Sequence, residues 1–136
     1  MMNGVRDVLV ITPAIDGADG ISEVSRQFVA GLSAMDQDFR MEVWSLAGGT
    51  PPQELLGRAT FRCAGGSRAR ISAWALSRAR TACDGLLVIV LHVHLAPIAL
   101  PLGLRGSRLA FFFHGIEVWR PLRARERHAV DRASEI

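Results

Sequence analysis

Residues 7–14, DVLVITPA, carry the reading that decides the fold. Val8, Leu9, Val10 and Ile11 follow one another with no polar alternation, and Pro13 closes the run. An apolar run this short, rich in β-branched residues and bounded by turn formers, predicts a strand buried on both faces. Such strands belong to parallel sheets with helices on both sides. Working outward, residues 15–20 (IDGADG) are a loop of turn residues. Residues 21–35 (ISEVSRQFVAGLSAM) place Ile21, Val24, Phe28 and Leu32 at helical spacing, with Ser22 as the expected N-cap. Gly31 inside that helix suggests close packing.

The rest of the chain repeats the theme. Apolar and polar residues alternate from Phe39 to Leu46, predicting a second strand. Residues 48–57 are a loop with one turn of helix, and residues 58–66 are a third, weaker strand. Residues 67–83 form a second helix with Ile71, Trp74, Ala75 and Arg78 on one repeat. Residues 85–94 (GLLVIVLHVH) are the strongest strand, apolar until His92. Residues 95–106 form a short helix with Pro97 in its first turn, where proline is tolerated. Residues 107–113 (SRLAFFF) are a fifth strand, and residues 121–136 open a last helix at Pro121. The order β-α-β-β-α-β-α-β-α predicts one α/β domain over residues 1–136. It is a three-layer α/β/α Rossmann-like fold with an open, mostly parallel sheet. A domain of this kind ordinarily follows such a helix with another strand, so a last strand is expected beyond Ile136. The sheet edge left open predicts pairing with a second copy of the chain.

Composition narrows the function. With 49% hydrophobic and 21% charged residues among 136, the chain is globular rather than disordered. All sixteen basic residues are Arg, which reads as coding bias rather than mechanism. The net charge of +3 is concentrated at residues 67–80 and 120–132. A basic helix can meet nucleic acid, an anionic membrane or a phosphate, although a solvated face is the simpler reading. Zinc spacing and aromatic sheet motifs are missing from the sequence, so no nucleic-acid partner is expected. Cys63 and Cys83 make no CxxC and no metal spacing, which fits a reducing cytoplasm. The first residues, MMNGVRDVLVITPA, do not read as a signal peptide. Residues 86–104 are the longest apolar tract, but their spacing changes midway and they contain two His and two Pro. A strand followed by a helix accounts for them better than a membrane span.

In doubly wound sheets, ligands bind at the carboxyl ends of the strands, where the strand order switches. Three loops are expected to converge there: residues 15–20, the HVH of residues 92–94, and the HGIEVW of residues 114–119. Gly17 and Gly20 would let backbone approach a phosphate at a helix N-terminus. Against this, GADGISEV is neither GxGxxG nor a Walker loop, and Asp16 and Asp19 would repel the phosphate. An ordinary βα turn explains the loop equally well. His92 and His94 lie two apart, so on a strand they share a face, yet no Cys or acidic partner at ligand spacing accompanies them. His94 reads best as a locally hydrogen-bonded residue at a strand end, and no metal is expected. His114, ending an aromatic strand and followed by Gly115, is free to point at a ligand.

Taken together, these features resemble the N-terminal half of GT-B glycosyltransferases, most closely the retaining family-4 group. They are a first strand ending in Pro13, a glycine loop opening a helix, a strand ending near HVH, and a fifth strand ending in HGIEVW. The resemblance covers nearly the whole chain. It implies sugar transfer with retention of configuration from a nucleotide-sugar donor to a polysaccharide, glycolipid or other acceptor, with no obligatory metal and no cofactor. It places Gly17, Asp19 and Gly20 in the loop under the donor diphosphate, and His114 near the reacting sugar as the catalytic residue. His94, Gly115, Glu117 and Trp119 fall on the acceptor side. The donor half, with its paired glutamates, would lie outside this chain, so the chain alone would be inactive. Arg120, Arg123, Arg125 and Arg127 would offer a peripheral contact to the inner face of the membrane. The family's first loop usually carries adjacent glycines, whereas here Asp19 precedes Gly20. A non-catalytic Rossmann-like binding or assembly module is the competing reading.

Overall fold

The computed structural model describes residues 4–35, 38–48, 59–112 and 121–132. The elements are β1 (Asp7–Ala14), α1 (Gly20–Ala34), β2 (Arg40–Ala47), β3 (Ala59–Cys63), α2 (Arg68–Arg78) and β4 (Leu86–Val90). They continue with α3 (Ala96–Leu104), β5 (Arg108–Phe111) and α4 (Ala124–Val130). A single 3-10 turn, Val93–Leu95, precedes α3. The five strands form one sheet in the order β3-β2-β1-β4-β5, and every pairing is parallel. The domain is a three-layer α/β/α Rossmann-like fold.

β1 is central because all four residues of its apolar run are at most 3% exposed. Strand periodicity sends Leu9 and Ile11 to one face and Val8 and Val10 to the other. On the first face, Ile71 and Ala75 of α2, Ile98, Ala99 and Leu102 of α3, and Ala129 of α4 complete one core. On the second face, Val29 and Leu32 of α1 pack over Val8, Val10, Met41 and Val43. Pro13 is tolerated because it falls where β1 runs out, between the paired positions Thr12↔Ser45 and Ala14↔Ala47.

Several local expectations are corrected. The N-cap of α1 is Asp19, not Ser22: the Asp19 carboxylate accepts from the backbone N of Ser22 at 2.9 Å. Asp caps as well as Ser, and here it stands one residue before the first helical position. The buried residues of α1 are Ser22, Ser25, Val29 and Leu32, while Val24 is 42% exposed. The two serines are buried without loss because their hydroxyls are bonded. Ser25 Oγ lies 2.8 Å from Thr12 Oγ1 and donates to the Ile21 carbonyl, and Ser22 Oγ donates to Asp19. Phe28, from the expected stripe, is half-buried against the core on the second face and also meets Phe112 edge to face at 4.9 Å. Gly31 does not serve close packing: a Cβ there would meet nothing within 4 Å. The final helix starts at Ala124 rather than at Pro121. The expected turn of helix within residues 48–57 falls outside the described residues after Gly48.

Candidate functional site

The strand order puts the switch point between β1 and β4: from β1 the chain moves to β2, and from β4 it moves to β5. Their ladder ends at Ile11↔Val90, and Leu91 N donates to the Ile11 carbonyl at 2.9 Å. Beyond that bond, residues 15–19 follow β1 and residues 92–95 follow β4 at the same edge of the sheet.

The first loop is held shut by its own side chains. A Cβ on Gly17 would fall 2.6 Å from Asp19 Oδ2 and 2.6 Å from Ser22 Oγ, so only glycine fits beside the cap. Arg26 reaches back from α1 and donates to the carbonyls of Ile15 at 2.9 Å and Gly17 at 2.7 Å, with Glu23 holding its other nitrogen at 2.6 Å. The Asp19 carboxylate accepts the Ser22 N–H and the Ser22 hydroxyl, and these bonds hold its pKa below the ordinary value. A phosphate entering here would have to displace that carboxylate. Gly20 has open space where a Cβ would sit.

The cap makes a stability prediction. Because Asp19 titrates below its unfolded value, its contribution is complete above that value and is lost as pH falls through the folded pKa. Asp19→Ala should therefore lower Tm at pH 7, and the gap to wild type should close as the pH drops below about 3.8, the ordinary aspartate value. Thermal melts from pH 7 to pH 2.5 measure this. A gap that stays constant with pH would show that the carboxylate does not act through its charge.

After β4, the His pair does not lie on a strand. β4 ends at Val90, and His92 is the extended residue that caps the 3-10 turn carrying His94. His94 N donates to His92 Nδ1 at 3.3 Å, and the rings meet edge to face at 4.5 Å. The His94 carbonyl accepts from Arg68 at 2.9 Å. Among the described residues, no three His, Cys, Asp or Glu side chains gather in a metal-binding cluster.

Arg68 is the site residue that the sequence reading missed. It opens α2 directly after Gly65 and Gly66, both with positive φ, and after the N-cap Ser67. The signal was present as GGSR at the carboxyl end of β3, a fourth loop at the same edge. Arg68, His94, Pro97, Arg123, Ala124, Arg125 and Glu126 line a cleft of about 590 Å³. Glu126 is 4% exposed, and its Oε2 accepts the Arg123 backbone N–H at 2.9 Å. The structure thus joins His94 to two of the basic residues near the end of the chain, and sets Gly17, Asp19 and Gly20 in a different loop. His114, Gly115, Glu117, Trp119 and Arg120 lie outside the described residues.

Neither cysteine looks reactive. Cys83 is buried, and burial pushes its thiol up despite the opposing charges of Arg78 and Arg105. Cys63, half-buried, donates to the Gly48 carbonyl.

These features define the class: a Rossmann-like α/β/α domain with its candidate site along the carboxyl edge of the sheet. No family model, curated protein or solved structure matches the chain.

Proposed function

We propose that the chain is the N-terminal, acceptor-side domain of a retaining glycosyltransferase that moves a sugar from a nucleotide-sugar donor to a polysaccharide, glycolipid or other acceptor. The observation that carries this reading is the HGIEVW segment at residues 114–119. In sequence it comes two residues after Phe112, whose N donates to the Val90 carbonyl at 3.0 Å beside the β4 end. His114 is assigned to the transferred sugar, where an imidazole N–H can steady charge developing on the leaving group. Gly115, Glu117, Trp119 and His94 are assigned to the acceptor. Gly17, Asp19 and Gly20 are assigned to the donor diphosphate, whose arrival requires the Asp19 carboxylate to turn away from Ser22.

In this reading the protein is cytoplasmic. Arg123, Arg125 and Arg127 are exposed in α4 and its lead-in, and this basic face is assigned to a peripheral contact with the inner side of the membrane. No helix among the described residues is long and apolar enough to cross a membrane.

The test uses the gene product at its native length and follows transfer of labelled sugar from a panel of nucleotide-sugars. His114→Ala should lower kcat/KM at least tenfold, about 1.4 kcal/mol of transition-state stabilisation, with the circular-dichroism spectrum unchanged. Unchanged turnover would remove His114 from the reaction. No transfer from any donor would reject the transferase reading.

A further inference from the structure

Two clefts meet on the α2, α3 and α4 side of the carboxyl edge. The first is the arginine-lined cleft of about 590 Å³ described above. The second, of about 570 Å³, runs along Leu76, Pro97, Ile98, Leu100 and Pro101. Arg68, Pro97, Ala124 and Arg125 line both, so the two are continuous, cationic at one end and mainly apolar at the other, where Ser72 and His128 are the polar lining residues. We propose that this continuous cleft binds an organic phosphate, with the phosphoryl group among Arg68, Arg123 and Arg125 and the carbon part along the apolar groove. The proposal rests on the cleft alone and does not need the transferase reading.

Charge sets the first half of the ligand. Among the described residues, three arginines line the mouth. The described acid that lines it with them, Glu126, is buried and already accepts the Arg123 N–H, so the described residues leave the mouth a surplus of two formal positive charges. Arg68 is held in place by its bond to the His94 carbonyl, which uses one of its five N–H groups and leaves the others for a ligand. Fixed forks of this kind match the oxygens of a phosphate. Apolar surface sets the second half. Leu76 is 59% exposed at the rim of the groove, and a carbon chain laid there would shield it from water. Inorganic phosphate would leave that surface uncovered, and a neutral amphiphile would leave the guanidiniums unpaired.

The test titrates the 136-residue chain by calorimetry with three probes: octyl phosphate below its micelle concentration, inorganic phosphate, and octyl glucoside. Octyl phosphate should bind at least tenfold more tightly than inorganic phosphate, and octyl glucoside should show no saturable binding. Arg68→Gln with Arg125→Gln should weaken octyl phosphate at least tenfold. Leu76→Gln should weaken octyl phosphate and leave inorganic phosphate unchanged. All three positions are exposed, so unchanged thermal melts are expected and serve as the folding control. Octyl phosphate no tighter than inorganic phosphate would overturn the proposal, as would binding indifferent to the arginine changes. Vesicles of phosphatidylglycerol and of phosphatidylcholine separate the remaining source of phosphate. Binding to the anionic vesicles without binding to monomeric octyl phosphate would assign the arginines to a membrane surface and overturn the cleft.

Discussion

Trp44→Ala is expected to lower the urea midpoint of unfolding by about 2 M, corresponding to about 3–5 kcal/mol at an ordinary slope for a small domain. The indole is 2% exposed in the middle of β2 and belongs to the core shared with α2, α3 and α4. It meets Trp74 edge to face at 5.7 Å, and Arg62 stands 4.0 Å over the Trp74 ring on the outer side. Removing Trp44 therefore opens a large hole and takes away one partner of an edge-to-face pair. Against a total stability of about 5–15 kcal/mol, that is a large fraction. Trp44→Phe separates the two parts of the effect. The Trp44 Nε1 is buried with no hydrogen-bond partner among the described residues, a defect worth about 1–3 kcal/mol. Phenylalanine keeps a ring against Trp74 and deletes the orphan N–H, so the volume lost and the penalty removed should nearly cancel. A midpoint within about 0.5 M of wild type is the expected outcome. A loss for Trp44→Phe well beyond about 0.5 M would mean that the indole nitrogen finds a partner in solution.

The sheet was legible because its central strands are apolar on both faces. Val8 to Ile11 and Leu86 to Leu91 admit few readings other than buried parallel strands, and the helices between them follow from spacing and from the handedness of crossovers. What hydropathy could not show was the seating of α1. Of its stripe of Ile21, Val24, Phe28 and Leu32, the last two reach the core and Val24 does not, while Ser22 and Ser25 turn inward because Asp19 and Thr12 supply their partners. Hydrogen bonding between hydroxyls thirteen residues apart leaves no trace in a periodicity. The carboxyl-edge loops were legible from strand order alone, which is why His94 and residues 15–20 were placed there. Arg68 was not, because β3 is short and half-exposed, and a weak edge strand draws attention away from the loop that follows it. Its bond to His94 crosses 26 residues and depends on how α2 lies against α3.

The same substitution at two helical glycines should have opposite signs. Gly31 of α1 faces open space, so Gly31→Ala should stabilise the domain by about 0.5–1 kcal/mol through the entropy of the unfolded chain. Gly103 lies in the last turn of α3, beside Leu109 of β5. A Cβ there would fall 2.7 Å from Leu109 Cδ1 and 3.3 Å from Leu109 Cγ, and Leu109 is fully buried. The leucine cannot swing aside, because both the sheet below it and Leu102 on the same helix belong to one packed core. Gly103→Ala should therefore lose more to overpacking, about 1–3 kcal/mol, than it gains in propensity, and Gly103→Val should lose more again. The physical reason is topological. α3 must return from β4 to its immediate neighbour β5, and the turn back, through Gly106 at φ +100°, leaves only the room of a hydrogen atom between the last helical turn and the strand. Urea melts of the two alanine variants decide the point. If Gly103→Ala were as stabilising as Gly31→Ala, the approach of α3 to β5 would be looser than the structure has it, and the shape of the adjoining apolar groove along Ile98 and Leu100 would have to be drawn again.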